Sequence, residues 1–223
     1  MITLHHCVGA RSFRALWMLE ELGLPYELKM LPFPPRVSAP SYLEVNPLGT
    51  VPAFFDGIVH MTESAAICQY LAARHSTGAL DVAIDEPEFG RYLNFLHFGE
   101  ATLTFPQTLV LRYSRFEAPE RRQPQVANDY TRWFLARLRT LEPLLSAQSF
   151  LCAQRFTAAD VSVGYALLLA QYLGLTERFK PAVRDYWQRL QARDGYQRAQ
   201  QAEQAAALAQ GVPAQAAPES GGD

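Results

Sequence analysis

Two hydrophobic periods alternate over residues 1–75, and beyond about residue 87 only one of them survives. ITLHH at 2–6, YELKML at 26–31 and the runs on either side of Asp56-Gly57 have the short, β-branched and aromatic character of strands. Between them, SFRALWMLEELG and TESAAICQYLAARH repeat at helix spacing. In the first of these, Ala15, Leu16, Leu19 and Leu22 share a face and Gly23 is the stop. The proline-rich run PFPPRVSAPSYLEVNPLG leaves room for one short helix at about 40–45. The resulting order, β-α-β-α-β-β-α, predicts a small mixed sheet with helices packed on it, because each element has an apolar face that another must cover.

Gly78, scattered acids and Pro87 mark residues 76–86 as a linker and Pro87 as the first residue of a new helix. The aromatic-rich run at 87–116 is helical with a kink expected at Pro106. At 126–145, Val126, Tyr130, Phe134, Leu138, Leu141 and Leu145 fall on one stripe. TAADVSVGYALLLAQYLGL is apolar nearly all round, as befits a helix at the centre of a bundle, and a further helix covers about 181–195. The Ala/Gln-rich start of 200–223 is compatible with a helical extension, but its Ala, Pro and Gly-rich end cannot build a core. A disordered tail is therefore expected over 200–223.

Among 223 residues, 49% are hydrophobic and 19% charged, and the net charge is -2 with no block of Lys or Arg. Nucleic acid and anionic membrane are excluded as expected partners on these grounds. No run is long and apolar enough to span a bilayer, and the first residues lack the plan of a signal peptide. Cys7, Cys68 and Cys152 are odd in number and far apart, which argues against a disulfide framework and for a reducing, cytoplasmic setting. His5 and Cys7 would share a strand face, but two ligands fall short of a metal site, so no metal is expected.

The stretch LGTVPAFFDG at 48–57 poses a problem of its own: Pro52 has no N–H for a sheet ladder, yet it sits at the mouth of an apolar strand. Taken by itself it starts an edge strand. With its neighbours it resembles something more specific. FRALWMLEELGLPYEL, APSYLEVNPLGTVPAFFDG, TESAAICQYLA and RFTAADVSVGYAL, in this order and spacing, resemble the glutathione S-transferase family, of the bacterial cytosolic type, over about 1–195. The resemblance implies an α/β thioredoxin-like N-terminal domain (β-α-β-α-β-β-α) at 1–76, followed by an all-α helical bundle at 87–196.

In that family the proline of Val-Pro follows a cis bond. The main chain of Val51 is then implied to pair, like an added strand, with the cysteinyl part of glutathione. Thr50, Val51, Pro52, Glu63 and Ser64 are the implied glutathione contacts. Ser64 opens a helix whose free N–H groups and positive dipole end suit the γ-glutamyl carboxylate, while Glu63 takes the ammonium. An ordinary helix start explains the same pair without a ligand. Thr157 to Asp160 reads as a capping arrangement with a folding role.

Activation of the thiol is where the sequence departs from the pattern. Relatives carry Ser-Arg-Ser or Ser-Arg-Ala before the first helix, and Ala10 stands here in place of the first serine. Ser12 with Arg11 are the catalytic candidates, as hydroxyl donor and positive charge; a plain helix cap and a solvated side chain are the alternatives. Cys7 is a second candidate, through a mixed disulfide with glutathione. Thr50 stands where relatives often carry Lys or Arg, and Arg36 is a candidate to compensate. Phe105, Leu109, Tyr113 and Phe116 are candidates to line an electrophile pocket between the domains. The function expected is transfer of glutathione, the co-substrate, to a small apolar electrophile by a homodimer. A glutathione carrier or sensor and a Cys7-dependent thiol oxidoreductase are the alternatives.

Overall fold

The computed structural model describes residues 1–76 and 79–216. These form two compact units, 1–76 joined by 191–216, and 79–190. In the first, strands β1 (Ile2–His6), β2 (Tyr26–Met30), β3 (Ala53–Asp56) and β4 (Val59–Met61) make one sheet in the order β2-β1-β3-β4. β2 runs parallel to β1, which is possible because helix α1 (Phe13–Leu22) crosses between them. β1 pairs with β3 and β3 with β4 antiparallel, the last two joined through Gly57 at φ 61°. Short helical turns, α2 (Pro35–Ser38) and a 3-10 segment at Pro40–Glu44, occupy the proline-rich run, and α3 (Ser64–His75) comes after β4. α1 is buried continuously from Phe13 to Leu19 instead of on one face, because α3 and the C-terminal helix both pack on it.

That C-terminal helix, α10 (Asp194–Ala209), corrects the expected tail: residues 200–209 are helical, and 217–223 lie outside the described residues. Arg193 makes a two-pronged ion pair with Glu21 (2.8 and 2.7 Å), and Arg198 reaches the Glu20 carboxylate at 3.1 Å. Tyr196 sets its ring edge-on to Trp17 at 4.9 Å. Gln210 donates to the Leu28 carbonyl and accepts from the Met30 N–H, both at 2.9 Å, so one side-chain amide covers part of the β2 edge. Composition left the extent of this helix open because, beyond Tyr196, its buried positions are alanines and one glutamate, with no large apolar side chain to mark a face.

The second unit holds α4 (Phe89–His97), α5 (Phe105–Leu111), α6 (Pro124–Leu138), α7 (Glu142–Ala147), α8 (Ala158–Tyr172) and α9 (Pro181–Gln191). Its packing starts earlier than residue 87. Leu80 and Val82 are buried, and the Leu80 carbonyl accepts from the Ala158 N–H. Phe98–Thr104 and Arg112–Phe116 wind as π-helix. The first of these wide turns precedes Pro106, whose ring would crowd a regular turn. Carbonyls in that region are taken by side chains: Thr104 Oγ1 donates to Gly99 and Gln107 Nε2 to both Leu103 and Ala166. α8 is buried all along Ala158–Ala170, and Gly99 lets it come close. A Cβ at Gly99 would stand 2.4 Å from Ser162 Oγ and 2.5 Å from the Ser162 carbonyl carbon.

Asp160 ties the start of α8 together. Its carboxylate accepts from the N–H groups of Thr157 (2.9 Å) and Leu151 (3.1 Å) and from the Tyr186 hydroxyl (2.8 Å). Burial nevertheless pushes the Asp160 carboxyl up to about 6.

This packing has two measurable consequences. Gly99→Ala should lose about 1–3 kcal/mol of stability, read as a lowered Tm; an unchanged Tm would show that α8 has slack here. For Asp160 the folded value lies above the unfolded 3.8. Its contribution to stability is therefore full below about pH 4 and lost as pH rises through about 6, on the order of 3 kcal/mol. Relative to Asp160→Asn, the wild type should lose stability between pH 4 and 6.5 in denaturant titrations; a difference that stays flat or grows over that range contradicts the burial argument.

Candidate functional site

Asn46-Pro-Leu-Gly49 is a turn that holds the main chain of Thr50 and Val51 in place. The Asn46 carbonyl accepts from the Gly49 N–H, and its side chain accepts from Leu48 N–H and donates to the Thr50 carbonyl at 2.8 Å. Tyr42 donates its hydroxyl to the same carbonyl, also at 2.8 Å. Gly49 has φ 62°, and a Cβ there would lie 2.7 Å from Arg36 Cβ, so both the conformation and the space call for glycine. The Val51–Pro52 bond is cis. β3 begins only at Ala53, and among the described residues the Val51 N–H and C=O have no hydrogen-bond partner. The Val51 side chain packs inward with Cys7, Tyr42 and Ala53.

Ser64 comes to the same end of the sheet by register. Phe54 pairs with Met61 at the end of the β3–β4 ladder, and residues 51 and 64 each follow three residues beyond that same end. α3 begins there with no side-chain cap. The N–H groups of Ser64, Ala65 and Ala66 have no partner among the described residues, and the dipole makes this tip positive. Beneath it lies Arg14, fully buried, whose Nη1 donates to Ser64 Oγ at 3.0 Å. Glu63 is exposed, and its carboxylate has no partner among the described residues. Thr50 is exposed and uncharged, while Arg36, also exposed, starts beside its neighbour Gly49.

The turn before α1 departs from expectation. Ser12 is wholly buried, and its Oγ lies 2.7 Å from His6 Nδ1. His6 Nε2 in turn meets Glu203 Oε2 at 2.9 Å, and the same oxygen accepts from the Gly9 N–H at 3.1 Å. The Ser12 hydroxyl is therefore enclosed and engaged by His6. Cys7 is enclosed too, and burial pushes its thiol up to about 12, which leaves no exposed thiolate for exchange chemistry. Ala10 packs against the group containing Val51, and Arg11 beside it is half-buried.

Sequence reasoning missed Arg14, His6 and Glu203. An arginine in the first turn of an apolar helix was the one available signal; nothing local links residues 6 and 203.

In the helical unit, Phe105 and Phe116 are exposed and Leu109 and Tyr113 half-buried. A cavity of about 600 Å³ lies elsewhere in that unit, lined by Arg115, Arg122, Ser114, Thr131 and Leu173 among others. Four of its polar side chains are already engaged: Arg115 and Arg122 donate to backbone carbonyls, and Ser114 and Thr131 to carbonyls of their own segments. Among the described residues no helix is long and apolar enough to cross a membrane, and no group of three or more His, Cys, Asp or Glu is placed to hold a metal ion.

The model of the glutathione S-transferase N-terminal domain matches residues 10–74. Glutathione S-transferase 3 of Schizosaccharomyces pombe is 31% identical over 181 residues, covering 77% of this chain and 75% of that one. Glutathione S-transferase hmp2 of Hypomyces subiculosus is 29% identical over 194 residues, 81% and 89% of the two chains. Among solved structures, glutathione transferase URE2P6 of Phanerochaete chrysosporium, in complex with oxidized glutathione, superposes with a TM-score of 0.79 at 28% identity, over 90% of this chain and 95% of that one. The mixed sheet with α1 and α3 is accordingly the thioredoxin-like domain, followed by the helical one. This chain belongs to the glutathione S-transferase family.

Proposed function

We propose that this chain binds glutathione at the Val51 end of its sheet and transfers the thiolate to a small apolar electrophile. The observation that carries the proposal is the unpaired main chain of Val51 at the end of the sheet from which the chain runs, beyond β4, into the uncapped tip of α3. A peptide N–H and C=O side by side are what an extended cysteinyl residue pairs with. The helix tip, backed by the Arg14 guanidinium, takes the γ-glutamyl carboxylate, and Glu63 takes the ammonium beside it. Thr50 offers a hydroxyl to the glycine carboxylate, and Arg36, rooted beside Gly49, supplies the charge that Thr50 lacks.

The transfer itself needs a thiolate, since a free thiol ionises near pH 8.5. The proton leaves for solvent, the sulfur lone pair forms the S–C bond, and the electrophile's displaced electron pair departs with its leaving group or onto its own acceptor atom. Of the two catalytic candidates, Arg11 is retained as the positive charge for the thiolate; Ser12 acts from behind it. The exposed rings of Phe105 and Phe116 and the half-buried Leu109 and Tyr113 are the candidate acceptor surface. Three free cysteines suit the reducing, cytoplasmic setting this reading carries with it, and a homodimer is part of the same proposal. A carrier or sensor without transfer is the second reading, favoured by Ala10 and by the enclosed Ser12 hydroxyl.

Thiolate absorbance of bound glutathione, titrated with pH, separates the two. The transferase reading expects a midpoint well below 8.5 in the wild type and one moved back up in Arg11→Ala. Tight binding with an unmoved midpoint and no turnover of an aryl halide would favour the carrier. Ser64→Ala strands the Arg14 donor and should weaken glutathione binding by roughly tenfold in calorimetry. Unchanged affinity there removes the α3 tip from the site.

A further inference from the structure

Resting on that reading, we propose that Glu203 of α10 is a positioning residue of the glutathione site, acting through Gly9 and His6 on the turn that carries Arg11. The turn begins where β1 ends. The Cys7 carbonyl accepts from the Ala10 N–H, the Ala10 carbonyl from the Phe13 N–H, and Gly9 takes φ 66°. Ala10 packs against the same apolar group as the Val51 side chain, so the turn and residue 51 share one patch of core. Residue 203 holds this turn at two points. One carboxylate oxygen accepts from the Gly9 N–H at 3.1 Å in the middle of the turn and from His6 Nε2 at 2.9 Å, and His6 Nδ1 meets Ser12 Oγ at 2.7 Å at its end.

The direction of these bonds comes from the inventory of donors. A carboxylate only accepts, so His6 carries its proton on Nε2. The other ring nitrogen, Nδ1, lies 2.7 Å from Ser12 Oγ, so the serine hydroxyl is held on His6 inside the turn, and Arg11 is the charged side chain of the turn itself. His6, Ser12 and Glu203 are each no more than 1% exposed, so water does not compete for these bonds.

A purely structural role is a poor account of a buried carboxylate at this place. Tyr196, Ala199, Glu203 and Ala207 form the buried stripe of α10, and Glu203 is its one charged member. The helix is already anchored by Arg193 on Glu21, Arg198 on Glu20, Tyr196 on Trp17 and Gln210 on the β2 edge. Burying a carboxylate costs several kcal/mol unless its partners are in place, and an apolar side chain would dock the helix as well. The carboxylate stands at the one point of the stripe where two donors from the turn converge.

The test compares full-length Glu203→Gln, Ser12→Ala and Arg198→Ala with wild type by calorimetry with glutathione, by pH titration of the bound thiolate, and by thermal melting. Glu203→Gln keeps the volume but sets an amide against His6. The proposal expects its thiolate midpoint to rise by at least half a pH unit and kcat/KM to fall tenfold or more. Ser12→Ala, at the other end of the relay, should move the midpoint the same way, and the double variant should be no worse than Glu203→Gln alone. Arg198→Ala loosens α10 without touching the turn, so it should lower the Tm and leave the midpoint in place. A midpoint unchanged in both Glu203→Gln and Ser12→Ala, or moved as far by Arg198→Ala, overturns the positioning role while leaving the transferase reading intact. Wild type that binds no glutathione overturns both. If Glu203→Gln does not fold, Ser12→Ala against Arg198→Ala decides the matter alone.

Discussion

The N–H and C=O of one residue, Val51, which the fold leaves unpaired, govern the rest of the candidate site. On one side of Val51, the Thr50 carbonyl is taken by Tyr42 and Asn46; on the other, Pro52 has no N–H to donate and the ladder starts only at Ala53. The Val51 side chain is packed away, so the main chain cannot turn in to find a partner. A polar backbone group shut off from water costs about 1–3 kcal/mol if nothing bonds it. It is stable here only if it opens onto solvent or a ligand, and an N–H and C=O held side by side at a sheet end are a strand's worth of recognition.

α1 connects that sheet end to the other parts of the site. Ser12 at its start belongs to the relay with His6 and Glu203; Arg14 lies under the tip of α3; Glu20 and Glu21 receive the arginines of α10. A single helix therefore sets the turn after β1, the tip of α3 and the C-terminal helix in one frame. Burial of α1 along its whole first half is the result of serving three neighbours at once.

Much of this was legible in the chain, and the reasons are physical. The strands and α1 carry clear hydrophobic periods, α8 is apolar nearly all round, and the Asp160 cap lies three residues from Thr157, so local pattern suffices. Asn46-Pro-Leu-Gly49 was readable because its hydrogen bonds close within five residues. What escaped was non-local. Glu203 and His6 are 197 residues apart, and an Ala/Gln-rich segment looks featureless until the small side chains are seen to form a contact stripe. The engagement of Ser12 by His6 was not readable either, because helix position does not fix rotamer direction. The wide turns before Pro106 are a response to packing around Gly99 and α8, which sequence periodicity does not report.

Amide chemical shifts offer the most direct test of the central claim that glutathione is gripped by the Val51 main chain and the α3 tip. In isotope-labelled protein titrated with S-methyl glutathione, a ligand that binds without reacting, the amide resonances of Val51, Ser64 and Ala65 should move most, and downfield, as their N–H groups gain acceptors. Saturable binding that leaves those three resonances in place, with the large shifts elsewhere, would contradict the account.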